Sequence, residues 1–242
     1  MKNMKKYKAV IFDVGDTLLE HYPSQRQIYI ERLKYLGFDI DENDENTAAN
    51  ISDAISKSAN GQIAKEQNGA PRMSDEDFAV MLDKAVLRCV YAGEDEAEYL
   101  EKLKGFPMPK DELRIIPGAK EVLRGLQDMG YRLGIVSNHR VWLPDYLKQI
   151  GLSQFFETIV VSEIVGVEKP DIRIMQIALE NLDLNASDCL YVGDHPFDVF
   201  CAKKAGIDCA WVAAAPEAVL PESVPYKEDY RIQKLQDLLN FC

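Results

Sequence analysis

Cysteine is sparse and unpaired in this chain. There are five in 242 residues, Cys89, Cys189, Cys201, Cys209 and Cys242. The number is odd, no CxxC spacing occurs, and three lie in apolar segments. That argues for reduced thiols used as core filler and against a disulfide framework. Basic residues are also in the minority, 28 Lys and Arg against 40 Asp and Glu, for a formal net charge of −12. A chain of that sign repels polyanions, so nucleic acid and acidic membrane surfaces are excluded as main partners. A local basic pocket for a small phosphate is still allowed. Long apolar runs are missing as well. After the basic start, Met1 to Lys8, only Ala9 to Phe12 are apolar before Asp13, too few for a signal-peptide core or a membrane span. Repeats and low-complexity segments are absent. The expectation is a cytoplasmic globular protein of one or two domains, with ample apolar sequence for a core.

What is present is organised around Lys8 to Leu18. The run Ala9 to Phe12 is too short for a buried helix and reads as a strand covered on both faces. It leads directly into Asp13 and Gly15. From Ser24 to about Leu103 the pattern is helical. Ser24 is placed to cap a helix bearing Ile28, Tyr29, Leu33 and Leu36, closed by Gly37. An acidic connection from Asp39 to Glu45 reads as a solvated loop. A second helix carries Ala48, Ile51, Ala54 and Ile55. Ser74 caps a third with Phe78, Met81, Leu82, Ala85 and Cys89, and a fourth covers about Asp95 to Lys104. Pro107 and Pro109 punctuate the chain.

Helices and strands then alternate. Helices are expected at Gly118–Met129, Pro144–Ile150, Pro170–Leu182 and Phe197–Ala205. Strands are expected at Tyr131–Val136, Thr158–Val161, Cys189–Val192 and Cys209–Val212. Ile232, Leu235, Leu238 and Leu239 suggest a closing helix. This alternation predicts an α/β fold with a doubly wound parallel sheet, residues 1–19 and 108–242, interrupted by an all-helical insertion, residues 20–107.

In a parallel sheet all strand carboxyl ends share one edge, where ligands bind. Asp13 ends the first strand, and Ser137-Asn138 end the strand from Tyr131. Glu168-Lys169-Pro170 follow the strand from Thr158. Gly193-Asp194 end the strand from Cys189, with Asp198 four residues on. Carboxylates gathered on one rim repel unless a cation neutralises them, and oxygen-only ligands suit Mg²⁺. A lysine and a serine hydroxyl beside them suit a phosphoryl group. Each piece has a bland reading alone: strand-end turns for Asp13, Ser137-Asn138 and Asp194, a residue before a helix-starting proline for Lys169, a helix-start charge for Asp198.

Together these motifs resemble the haloacid dehalogenase (HAD) superfamily, in the branch with a helical cap inserted after the first motif. The segments that carry the likeness are Asp13-Val14-Gly15-Asp16-Thr17, Ser137-Asn138, Lys169-Pro170, and Gly193-Asp194 with Asp198; Pro117-Gly118 and the segment from Ala202 to Gly206 also fit. The resemblance implies a phosphatase acting on a small phosphorylated metabolite, as monomer or homodimer. Asp13 would be a nucleophile forming an aspartyl-phosphate. Mg²⁺ would be held by Asp13, the Gly15 carbonyl and Asp194, with Asp198 binding through water or orienting Lys169. Ser137 would donate to the phosphoryl group, with Asn138, His139 and Thr17 near the substrate and Thr17 in a supporting hydrogen bond. Lys169 would offset the repulsion between two anions, worth about 4 kcal/mol at 4 Å for an effective dielectric near 20.

The sequence departs from the family at one place. Most phosphatases of this kind carry a second Asp two residues after the nucleophile, as general acid and base. Here that residue is Gly15, and Asp16 follows. Three readings stand: Asp16 turns into the site, another group such as His21, His139 or one from the cap serves, or the substrate has a good leaving group. Two other functions remain open. One is a 2-haloacid dehalogenase, whose relatives also lack that Asp but need no metal; the other is a non-catalytic binding protein on the same fold.

Overall fold

The computed structural model describes residues 7–41, 44–67, 71, 73–93, 95–110, 112–213, 218–221 and 224–240. Met1 to Lys6, Cys242 and part of the acidic connection lie outside them. The chain forms two compact units, residues 1–20 with 113–242 and residues 21–112.

The first unit begins with β1 (Ala9–Phe12), whose four side chains are all buried. β2 (Leu19–Tyr22) follows. The second unit holds α1 (Gln25–Tyr35), α2 (Glu45–Gln67), α3 (Asp75–Leu87) and α4 (Glu96–Leu103). The chain returns through β3 (Glu112–Ile115), which pairs with β2 in a two-stranded ribbon. Then come α5 (Ala119–Asp128), β4 (Arg132–Ser137), α6 (Leu143–Gln149), β5 (Thr158–Val161) and the short α7 (Ser162–Val165). The last elements are α8 (Arg173–Leu182), β6 (Cys189–Gly193), α9 (Pro196–Lys204), β7 (Asp208–Val212) and β8 (Tyr230–Ile232).

The sheet has six strands in the order β5-β4-β1-β6-β7-β8, and its pairings are parallel. Strand alternation splits its side chains between two cores. Val10, Phe12, Leu133, Ile135, Leu190 and Val192 pack with Val122, Leu123 and Leu126 of α5 and Leu143 and Leu147 of α6. Ala9, Ile11, Val136, Cys189 and Tyr191 pack with Ile174, Met175 and Leu182 of α8 and Val199 of α9. Helices therefore cover both faces, the doubly wound arrangement that the alternating pattern predicts. Chain order reverses at β1, which lies between β4 and β6.

Local chemistry explains the helix starts. The Ser24 hydroxyl accepts from the Gln27 amide, and the Gln27 side chain answers on the Ser24 amide. Ser74 caps α3 through the Asp77 amide. Asp44, read as loop, accepts from the Thr47 amide and hydroxyl at the start of α2. Two expectations fail. Ile232 lies in β8 rather than a closing helix, and Leu235–Asn240 form only a 3₁₀ turn. The helix expected from Pro170 begins at Arg173. Cys189, Cys201 and Cys209 are buried, whereas Cys89 is exposed. Among the described residues, no helix is long and apolar enough to cross a membrane.

In the second unit Tyr29, Ile30, Leu33, Ile51, Ile55, Leu82, Val86 and Leu87 form a core of their own. At its side the Arg32 guanidinium donates to both oxygens of Asp83, at 2.9 and 2.6 Å. Both side chains are largely shielded from solvent. Removing one partner strands the other, so Asp83→Ala is expected to cost about 3 kcal/mol in urea-induced unfolding.

Candidate active site

β1, β4 and β6 end at the same edge. Phe12 is in register with Ile135 and Val192, so Asp13 emerges one residue beyond both pairs. Its amide donates to the Val192 carbonyl at 2.8 Å, which fixes the backbone where the carboxylate leaves the sheet. Asp13 is buried, and that burial pushes its carboxyl above the usual range. Lys169 opposes the shift and Asp198 adds to it.

The Lys169 ammonium is the centre of the cluster. It is buried and donates to Asp13 Oδ1 at 2.7 Å, Asp198 Oδ1 at 2.6 Å and the Tyr191 hydroxyl at 3.0 Å. Burial works against the charged form, but the Asp13 and Asp198 carboxylates outweigh it and hold the lysine protonated. Asp198 has no solvent exposure, and both its oxygens are engaged. Oδ1 takes Lys169, and Oδ2 accepts the His195 amide at 2.9 Å in the first turn of α9. The helix N-terminus favours that negative charge. Gly193 makes the fit possible, because a Cβ there would lie 2.3 Å from Asp198 Oδ2.

Asp194 stands half-buried beside this cluster. Its Oδ1 accepts the Thr17 hydroxyl at 3.1 Å, and its carbonyl accepts the Trp211 indole N–H at 2.6 Å. Burial, with Asp198, Asp13 and Asp16 as like charges, pushes its carboxyl well above the ordinary range. Asp13, Asp194 and Asp198 each offer an oxygen, all within 4.8 Å of one another. Three carboxylates face one ammonium, leaving two negative charges to offset. Oxygen donors with that balance fit a hard divalent cation.

The remaining expected residues are placed as follows. Asp16 is exposed, has a left-handed backbone at φ 48°, and donates its amide to Leu19 O at 2.7 Å. Its negative charge adds, after burial, Asp198 and Asp13, to what raises the Asp194 carboxyl. Gly15 is half-buried, and a Cβ built on it meets nothing within 4 Å. Ser137 is buried at the end of β4. Asn138 uses its amide on Lys169, accepting from its N–H at 2.7 Å and donating to its carbonyl at 2.9 Å. Thr17 likewise reaches Asp194. His139 Nδ1 accepts from the Arg140 amide, and the ring stands edge-on to Trp142 at 4.7 Å. His195 caps α9 through Phe197 N–H. Tyr191 was not singled out from the sequence. A phenol in a strand buried on both faces must find a partner, and that is the signal it carries.

Residues 10–212 match the family of haloacid dehalogenase-like hydrolases. The chain belongs to that family. It is 36% identical over 129 residues to a glyceraldehyde 3-phosphate phosphatase of Pyrococcus abyssi, covering 52% of this chain and 54% of that protein. It is 36% identical over 121 residues to the pyrophosphatase PpaX of Bacillus velezensis, covering 50% of this chain and 56% of that one. The chain thus spans about half the length of these curated relatives. Among solved structures, the HAD hydrolase YfnB of Bacillus subtilis, bound to magnesium, superposes with a TM-score of 0.63 at 24% identity over 98% of both chains. The L-2-haloacid dehalogenase RSc1362 does so with a TM-score of 0.61 at 22% identity, again over 98% of both. At these identities the likeness is one of fold.

The crowding of carboxylates in this HAD-family site has a measurable cost without metal. Asp194→Asn keeps an oxygen for Thr17 and removes one like charge. At pH 8 in chelator it is expected to raise the thermal midpoint by about 2–4 °C, the shift for roughly 1 kcal/mol in a chain of this size. Added Mg²⁺ is expected to stabilise the wild type and not the variant, as read by calorimetry.

Proposed function

We propose that this HAD-family protein is a divalent-cation-dependent phosphatase of small phosphorylated metabolites, working in the cytoplasm. One observation carries the reading: the buried Asp13–Lys169–Asp198 chain lies at the sheet's reversal point, with Asp194 beside it. The names of the phosphatase relatives support the same chemistry.

Asp13 attacks phosphorus. A bond forms from its carboxylate oxygen, the bond to the leaving oxygen breaks, and that oxygen departs with the electron pair, an alkoxide taking its proton from solvent water and a phenolate such as p-nitrophenolate leaving unprotonated. Water then attacks the aspartyl-phosphate, phosphate leaves, and the carboxylate is restored. Lys169 holds Asp13 Oδ1 and softens the repulsion between nucleophile and substrate. Ser137 donates to the phosphoryl oxygens. Asp13, Asp194 and the Gly15 carbonyl would hold Mg²⁺, which when bound offsets charge on the transferring group. Thr17 and Trp211 orient Asp194. Asp198 serves mainly to fix Lys169, because both of its oxygens are already taken. The helical unit, residues 21–112, is the natural selector of substrate as a cap.

A metal-free dehalogenase reading leaves Asp194 as an uncompensated anion beside two others, a cost the divalent ion removes. The lack of a carboxyl at Gly15 bears on the leaving group. p-Nitrophenolate departs without a proton, whereas an alkoxide needs one.

Turnover of p-nitrophenyl phosphate with Mg²⁺ is expected, abolished by chelator and reduced at least about 10³-fold in Asp13→Asn. Halide release from a 2-haloacid that ignores chelator would overturn the phosphatase reading. Gly15→Asp has room for its Cβ. It is expected to raise kcat on an alkyl monophosphate by about 10²-fold, the low end for general acid–base help, and to change p-nitrophenyl phosphate turnover much less.

A further inference from the structure

We propose that Asn138 and Tyr191 are positioning residues for Lys169, gripping its two ends so that the ammonium faces Asp13. The inference rests on the phosphoryl-transfer reading and adds two residues to it.

Lys169 lies between α7 and α8, outside any helix or strand, and a lysine side chain is a flexible four-carbon stem. Left alone it would sample many positions. At the backbone end, one planar carboxamide holds both polar groups of Lys169. Asn138 Oδ1 accepts its N–H at 2.7 Å, and Asn138 Nδ2 donates to its carbonyl at 2.9 Å. Two bonds from one rigid group fix both the place and the orientation of the lysine backbone.

At the ammonium end there are three N–H donors and three acceptors: Asp13, Asp198 and the Tyr191 hydroxyl. Tyr191 has a single proton, and its shortest acceptor is the Val136 carbonyl at 2.8 Å. With that proton directed at Val136, the phenol oxygen presents its lone pairs to the lysine. Tyr191 is in register with Ile11 on β1, so its side chain, rooted in β6, reaches past β1 to the end of β4. Val136 and Asn138 flank Ser137. The last turn of chain on β4 therefore holds the lysine from both sides of the serine that faces phosphate. This is why Asn138, although exposed, follows Ser137: its partner is the lysine backbone.

The experiment is a double-mutant cycle on the full chain with Mg²⁺, reading the dissociation constant of orthovanadate by titration calorimetry. Asn138→Ala and Tyr191→Phe are each measured in the wild-type and Lys169→Ala backgrounds. Groups that act only through Lys169 are expected to weaken vanadate about tenfold alone and less than about twofold once the lysine is gone. Equal losses in both backgrounds would mean direct contact with the ligand and overturn the inference. So would no loss in the wild-type background. Asn138→Asp keeps the oxygen for the Lys169 amide and loses the donor to its carbonyl; it is expected to weaken vanadate about threefold in the wild-type background and less than about twofold in Lys169→Ala, so the inference remains testable if the alanine variant does not fold. A wild type that neither binds vanadate nor hydrolyses p-nitrophenyl phosphate overturns the phosphoryl reading itself.

Discussion

A buried ammonium can exist only where its partners repay the lost hydration. Lys169 meets that demand with two carboxylates and a phenol, and much of the surrounding structure follows from it. Asp198 is held without solvent contact by the first turn of α9. Gly193 must lack a side chain so that Asp198 fits beneath it. Tyr191 must cross the sheet to Val136, and Asn138 must turn back from β4. Asp13 then receives the ammonium's hydrogen bond and stays beside a positive charge despite its burial.

The sheet explains why this grouping sits where it does. Parallel strands end on one edge, and chain order reverses there at β1, between β4 and β6, the kind of place where open α/β sheets bind ligands. Packing on both faces holds the strand ends that carry Asp13 and Asp194, and the Asn138 carboxamide ties the Lys169 connection to the end of β4. Three carboxylates against one ammonium leave a formal excess of two negative charges at that edge. The proposed divalent cation would offset that excess and leave the site able to accept an anion.

Much of this was legible in the sequence. The four-residue run before Asp13, the capping serines at 24 and 74, and the strand-end positions of Asp13, Ser137 and Asp194 follow from periodicity and parallel topology, with Lys169 on the connection after β5. Side-chain direction beyond a strand end does not. Thr17 makes a supporting hydrogen bond, to Asp194, and the Asn138 carboxamide bonds the Lys169 backbone, a pairing between distant segments that sequence spacing cannot reveal. β8 was hidden because three residues are too few to show alternation, and Ile232 happens to fall in helical phase with Leu235 and Leu239. Tyr191 read as one more core aromatic. Only its buried hydroxyl marked it as more.

The chain leaves the α/β unit through β2 and comes back through β3, and those two strands pair with each other. Departure and return are thus stitched at a single seam. Whatever lies between them can lengthen, shrink or be exchanged without altering strand order or the spacing of the acidic cluster. Such a layout makes the two paired strands a natural boundary at which one unit could be exchanged for another.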